Sequence, residues 1–210
     1  TPSGTSSGLH VRTGGTININ ANDVWDDAGT GGLDFINVGD SGAGAAATLN
    51  MNSFNITSPG LLVGGVATGL EGAVTGTGTI TVTSTATDYS LGIRVYHGSV
   101  AANLAGVATI LKQGLGEVTL SGNNSGLTGT VGATRLDAGS LILDFTTQNN
   151  QKISSVAALD LRGASITLNG NNSAASSQTV ASTSLANASG ANKITLNVGT
   201  SQEIVFNLGA

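Results

Sequence analysis

The chain has 210 residues, a formal net charge of −5 and only 9% charged residues, with 32 Gly, 2 Pro and no Cys. Seven scattered Lys and Arg form no basic face for phosphates, and the absence of Cys excludes a disulfide scaffold or a thiolate metal site. No apolar run approaches the roughly 18 residues of a membrane-spanning helix, while abundant Thr, Val, Ile and Leu at low charge argue against disorder.

The chain opens on a Gly/Ser-rich arm, residues 1–8, with neither an initiator Met nor a charged-then-apolar leader. It is therefore expected to be a mature or excised segment. Within the arm "GTSSG" (Gly4–Gly8) fits Gly-x-Ser-x-Gly around Ser6, but a nucleophile elbow needs a strand before it and a helix after it. It reads as a turn. Strand signals then come in short bursts of β-branched and apolar residues. The first is Thr16–Asn20. Before the next lies "DVWDDAGTGGLD" (Asp23–Asp34), the densest group of carboxylates. Asp23, Asp26 and Asp27 with nearby carbonyls offer oxygens to calcium, but the spacing matches neither an EF-hand nor the calcium-binding nonapeptide. A solvated loop with Trp25 packed as an end plug is the plainer reading.

Further bursts are Leu33–Val38, Ala47–Asn52, Leu61–Gly65, Thr79–Thr85, Gly92–Gly98, Val100–Gly106, Thr109–Gly114 and Glu117–Gly122. They continue as Ser140–Phe145, Ala158–Gly163, Ser165–Gly170, Lys193–Val198 and Glu203–Gly209. Nearly all are bounded by Gly, Asn or Ser, residues suited to tight turns. No window carries a Gly-free apolar repeat of helical period. The best helical candidate, Asn150–Leu161, reads better as a loop entering a strand. The chain is expected to be all-β and a single domain over 1–210.

One echo chooses among all-β architectures. "VTLSGNNS" from Val118 returns as "ITLNGNNS" from Ile166, 48 residues on, and "ITLN" recurs at Ile194. A sandwich has no reason to recycle a strand and its corner. A solenoid does, because equivalent positions in stacked coils meet the same neighbours. Leu120 and Leu168 should then point inward, and Asn123 and Asn171 should occupy matching corners. Coils of roughly 20–28 residues would give about eight to ten coils.

The stretch "TILKQGLGEVTLSGNNSGLTGTVGATRLDAGSLILDF" (Thr109–Phe145) resembles the autotransporter-associated β-strand repeat. It shares the Lys-x-Gly-x-Gly stretch, Thr-Leu-Ser-Gly-Asn-Asn, a Thr-Gly step and an Ala-Gly-x-Leu strand, and departs at Gln113, Leu115 and Glu117. A looser likeness covers most of Gly72–Gly209. The resemblance implies a right-handed parallel β-helix, a passenger exported to the bacterial cell surface. It implies no particular chemistry.

Candidate sites are sparse. Asp34 with Asp40, or Asp137 with Asp144, are the carboxylate pairs that acid–base work on a polysaccharide would need, with Arg135 as the nearest basic partner. Outward-facing structural Asp is the plainer reading. His10 and His97 lie far apart, and His97 reads as a corner residue. "GAGAAA" (Gly42–Ala47) loosely fits a nucleotide loop but lacks the helix one needs. Sequons at Asn55, Asn123, Asn171 and Asn187 mark corners expected to be exposed. No catalytic set, cofactor or metal site is expected, and the chain is not expected to be an enzyme.

The function expected is that of a structural extracellular element, a segment of a bacterial surface fibre, stalk or adhesin. Its partners would be other copies of itself or the continuing parent chain, joined end to end through the strand Glu203–Leu208, with surface glycans as further partners. No nucleic acid and no membrane insertion by this segment are expected. The alternative is a polysaccharide-binding or lyase-like β-helix domain.

Overall fold

Runs of three to six extended residues closed by Gly, Asn or Ser turn the chain before any strand grows long. Such a chain satisfies its backbone by laying each run on the equivalent run of the preceding coil. A computed structural model describes residues 8–22, 35–39, 45–67, 69–85, 92–186, 190–200 and 202–209, and shows this arrangement. The first coil contributes β1 (Gly8–Val11) and β2 (Thr16–Asn18), the second β3 (Phe35–Val38), β4 (Ala47–Asn50) and β5 (Ile56–Ser58). Next come β6 (Gly60–Val63), β7 (Gly72–Thr75) and β8 (Thr79–Val82), then β9 (Gly92–Val95), β10 (Gly98–Val100) and β11 (Asn103–Ala108). The fifth coil holds β12 (Ile110–Lys112), β13 (Glu117–Leu120) and β14 (Gly126–Val131), the sixth β15 (Thr134–Leu136) and β16 (Ser140–Asp144). The last two hold β17 (Leu159–Leu161), β18 (Ser165–Asn169) and β19 (Ser176–Thr179), then β20 (Thr183–Leu185), β21 (Lys193–Asn197) and β22 (Ile204–Asn207).

The first strand of every coil joins one eight-stranded parallel sheet, from β1 to β20, and the second joins another, from β2 to β21. The third face carries β5, β8, β11 and β14 as one sheet and β19 with β22 as another. The molecule is a β-solenoid. Eight strands in each long sheet make eight coils, or about seven full turns, at the lower end of the eight to ten coils expected. Ladder partners in the second sheet lie between 20 and 32 residues apart. The longest step joins β2 to β4.

The 48-residue echo is two coils. Leu120 faces Leu143, and Leu143 faces Leu168. Leu168 then faces Leu196 one coil on, which explains the 28-residue step between the last two echoes. Both Leu120 and Leu168 are fully buried, as expected. Their row starts at Ile17 and runs through Leu49, Val74 and Val100. The matching row of the first sheet reads Val11, Val38, Val63, Val95, Lys112, Leu136, Leu161 and Leu185. Each apolar side chain fully buried in these rows, as all are between the two end coils, is worth about 1.5–3 kcal/mol.

All fourteen bursts contain a strand or lie across one, but Val100–Gly106 spans two, because Ala101 and Ala102 turn the corner between β10 and β11. The Asn150–Leu161 segment is a loop entering β17. Among the described residues the sixth coil has no strand on the third face, and buried side chains splice the gap. Asn124 donates through Nδ2 to the Lys152 carbonyl at 2.9 Å, and Gln178 Oε1 accepts from the Lys152 amide at 2.9 Å. Gly98 holds a corner that needs its lack of a side chain. Its φ is +122°, and a Cβ there would collide with the carbonyl of Gly72 on the strand below.

Of the arm at 1–8 only Gly8 is described, and it opens β1. Ser6, the cluster Asp23–Asp34 and Asp40 lie outside the described residues, as does Asn187.

Candidate functional site

The corners joining the first sheet to the second stack into a strip along one edge of the solenoid. Alternation sets its chemistry: in β15, Leu136 faces the core while Arg135 points outward, and Asp137 follows at the corner. Arg135 grips Asp137 with two bonds, Nε to Oδ1 at 2.6 Å and Nη2 to Oδ2 at 2.7 Å. One coil on, Arg162 Nε donates to Asp160 Oδ2 at 2.7 Å. Since Asp160 stands opposite Arg135 in the ladder, the four side chains alternate in sign across two coils. In the other direction Gln113 Nε2 reaches Asp137 Oδ2 at 3.4 Å, and Tyr96 Oη donates to Gln113 Oε1 at 2.9 Å. Burial opposes ionisation of Asp137, but the bonds from Arg135 and Gln113 and the nearby Arg162 outweigh it and hold the carboxyl below its usual range. It stays ionised at neutral pH and has no proton to donate.

Beside Tyr96 the strip opens into a hollow of about 370 Å³ lined by Gly65, Val66, Ala67, Tyr96, His97, Gly114, Leu115 and Gly116. Its walls Val66 and Leu115 are 76% and 90% exposed. His97 Nε2 lies 3.4 Å from Glu71 Oε1. An apolar hollow with a few polar groups at its rim suits a small ligand with one apolar face.

The structure does not bring the candidate pair Asp137 and Asp144 together. Asp137 precedes β16 and Asp144 ends it, where Oδ1 accepts from the Thr146 amide at 3.0 Å. His10 lies on β1 and His97 three coils away. Ala47 of the Gly42–Ala47 stretch opens β4 and faces the core. Asn123 and Asn171 do hold matching corners, each accepting a bond from the amide two residues on, at 3.2 Å from Ser125 and 2.7 Å from Ser173. That capping leaves both half-buried rather than exposed, whereas Asn55 is exposed. Among the described residues no group of three His, Asp or Glu is placed to hold a metal ion.

Two lysines went unread in the sequence. Lys112 occupies an inward position, fully buried, and its Nζ donates to the carbonyls of Gln113 at 2.8 Å, Gly114 at 2.8 Å and Ala138 at 3.3 Å. Lys152 is equally buried; its Nζ donates to Ser121, Gln148 and Gly122 carbonyls at 2.9, 3.0 and 3.1 Å and lies 5.3 Å from the Phe145 ring centre. Burial lowers the pKa of each to about 8, offset in part at Lys152 by Asp144. Both remain ammonium at neutral pH, matching three donors to three carbonyls.

The solenoid's last coil is the other distinctive surface. Leu185 is 61%, Leu196 44% and Ile194 37% exposed, whereas their ladder partners Leu161, Leu168 and Ile166 are fully buried.

No family model matches the chain, and neither a curated protein nor a solved structure does. No helix among the described residues is long and apolar enough to cross a membrane.

Proposed function

We propose that this chain is a structural segment of an extracellular bacterial fibre, stalk or adhesin, a spacer whose final coil is continued by a further coil. The observation that carries this reading is the open final coil, where core positions of both long sheets stand in solvent. Unpaired strand edges recruit a compatible strand unless something covers them. The next coil comes from another copy or from the continuing parent chain. The likeness of Thr109–Phe145 to the autotransporter-associated repeat supports a place on the cell surface, as does a Cys-free, Lys-poor composition rich in Gly, Asn, Thr and Ser. The saturated Asp137 and the distant Asp144 support a role without catalysis.

Hydrogen exchange on the 210-residue chain, with light scattering for its size, tests the reading. The amides of β20, β21 and β22 that face away from β17, β18 and β19 should exchange fast in any monomer and slowly in an assembly. A monomer in which these strands are fully protected by their own fold overturns it.

The hollow beside Tyr96 favours a second reading, a polysaccharide-binding or lyase-like domain. A glycan panel separates the two: release of products that is lost on changing Asp137 or Asp144 would replace the structural reading with this one.

A further inference from the structure

The two ends of the solenoid carry the same short sentence. Thr16-Ile17-Asn18 in β2 faces Thr48-Leu49-Asn50 in β4, and Thr167-Leu168-Asn169 in β18 faces Thr195-Leu196-Asn197 in β21. In each pair the Thr and Asn point outward and the apolar residue points toward the core. Between them, from β7 to β16, no strand of this sheet repeats the triplet. The outer edges of β2 and β21 are the two ends of the sheet, and β1 and β20 are the two ends of its neighbour.

The Asn side chains have a direction. Asn50 Nδ2 donates to Asn18 Oδ1 at 3.0 Å, and Asn197 Nδ2 donates to Asn169 Oδ1 at 2.8 Å. In both pairs the amide of the later coil donates to that of the earlier one. Among the described residues Asn18 therefore has its amide nitrogen left to donate outward from the first coil, and Asn197 has its oxygen left to accept at the last. Amide ladders of this kind add to the backbone pairing of stacked parallel strands.

We infer that the last coil docks on the first coil of a second copy of this chain, with β21 pairing β2 and β20 pairing β1, so that Asn197 meets Asn18 and Leu196 meets Ile17. The inference rests on the reading of the chain as an end-to-end structural element and names its occupant and register. The joint continues the coil-to-coil interface already present seven times over in each long sheet, with strand direction kept. It places Thr195 against Thr16 and, following the ladder of the first sheet, Ser184 against His10, so no like charges face each other. It covers Leu185 and Leu196. Such a head-to-tail contact does not close on itself and so propagates into a rod.

The chain has no Cys, which allows a direct test. Neighbouring strands lie about 4.8 Å apart, within the span of about 4.4–6.8 Å that a disulfide bridges. The full chain carrying Asn18→Cys and Asn197→Cys is oxidised mildly and run on a non-reducing gel, beside Asn18→Cys with Lys193→Cys, which lies on the same outer face four residues out of register. The expected result is a ladder of covalent multimers from the first pair, at least tenfold richer than from the second, with rods in electron micrographs of the parent chain. Rods without that ladder, or an equal ladder from the off-register pair, overturn the inferred register and leave the structural reading standing. A monomer whose β20 and β21 amides facing away from β17 and β18 exchange fast overturns the second copy as occupant, leaving the continuing parent chain. A monomer with those amides protected overturns both.

Discussion

Replacing Lys112 by Met removes the ammonium that donates to carbonyls at two successive corners, while an unbranched side chain still fills the stem's place in the row. Buried polar groups that lose their partner cost about 1–3 kcal/mol each. Three carbonyls are affected, but the corners are half-buried and admit water to part of them. The net loss at pH 7 should be about 2–4 kcal/mol, a large share of the stability of a single domain. The pH profile carries a second, independent signature. The pKa of Lys112 falls from 10.5 unfolded to about 8 folded, so between these values the unfolded chain holds more protons and stability rises with pH. The unfavourable contribution is complete below pH 8 and gone above 10.5. At about 1.4 kcal/mol per unit it is worth about 3 kcal/mol, trimmed to about 2 by solvent near the corner. Urea denaturation followed by far-UV circular dichroism at pH 7 and pH 10 measures both effects. The gap between parent and Lys112→Met should widen by about 2 kcal/mol across that range. A variant as stable as the parent at pH 7, with a profile running parallel to it, would refute the role assigned to this lysine.

Leu168→Asp places an uncompensated charge in the central row and should cost about 3–5 kcal/mol, seen as loss of the urea transition and early proteolysis in the last three coils. Gly98→Ala forces a Cβ onto the Gly72 carbonyl at a positive φ and should cost about 1–3 kcal/mol in the same denaturation assay; an unchanged midpoint would show that the two coils separate freely there. In Arg135→Met, the Asp137 carboxyl should titrate higher than in the parent by NMR, because its strongest partner is gone. The parent's depressed pKa stabilises the fold above the ordinary carboxylate range and is lost as pH falls through the folded value, so the variant should show less acid sensitivity from this group. An unmoved titration would mean that Gln113 and Arg162 suffice.

The rows of Leu, Ile and Val were legible in the sequence because alternation within each burst needs no knowledge of its neighbours. The coil between the two echoes was harder to see. "SLILD" at β16 keeps the apolar spacing of "SITLN" but replaces Thr167 and Asn169 by Ile142 and Asp144, so the eye passes from Leu120 to Leu168 over a whole turn. The strands that left no signal, such as "SSQT" in β19 and "TSL" in β20, owe their form to ladder bonds with neighbouring coils rather than to β-branched side chains. The inward course of Lys112 in β12 and of Lys152 in the loop before β17 leaves no mark in the sequence, because Lys ordinarily faces water; only the corner carbonyls of the same and the adjoining coil make an inward ammonium tolerable. The chain Tyr96–Gln113–Asp137–Arg135 depends on pairings 17 and 24 residues apart, which exist only once the register is known.

The two buried lysines also set where such a rod would yield. Lys112 belongs to the fifth coil and reaches Ala138 in the sixth, while Lys152 belongs to the sixth and reaches Ser121 and Gly122 in the fifth. The same two coils are thus riveted from opposite sides. A tensile force along the axis loads the ladder bonds between coils and peels them in sequence, as a zipper opens from its free end. Rupture should run inward from either tip and stall at this reinforced joint, which would leave a short, still-wound middle after the rest had paid out as slack chain.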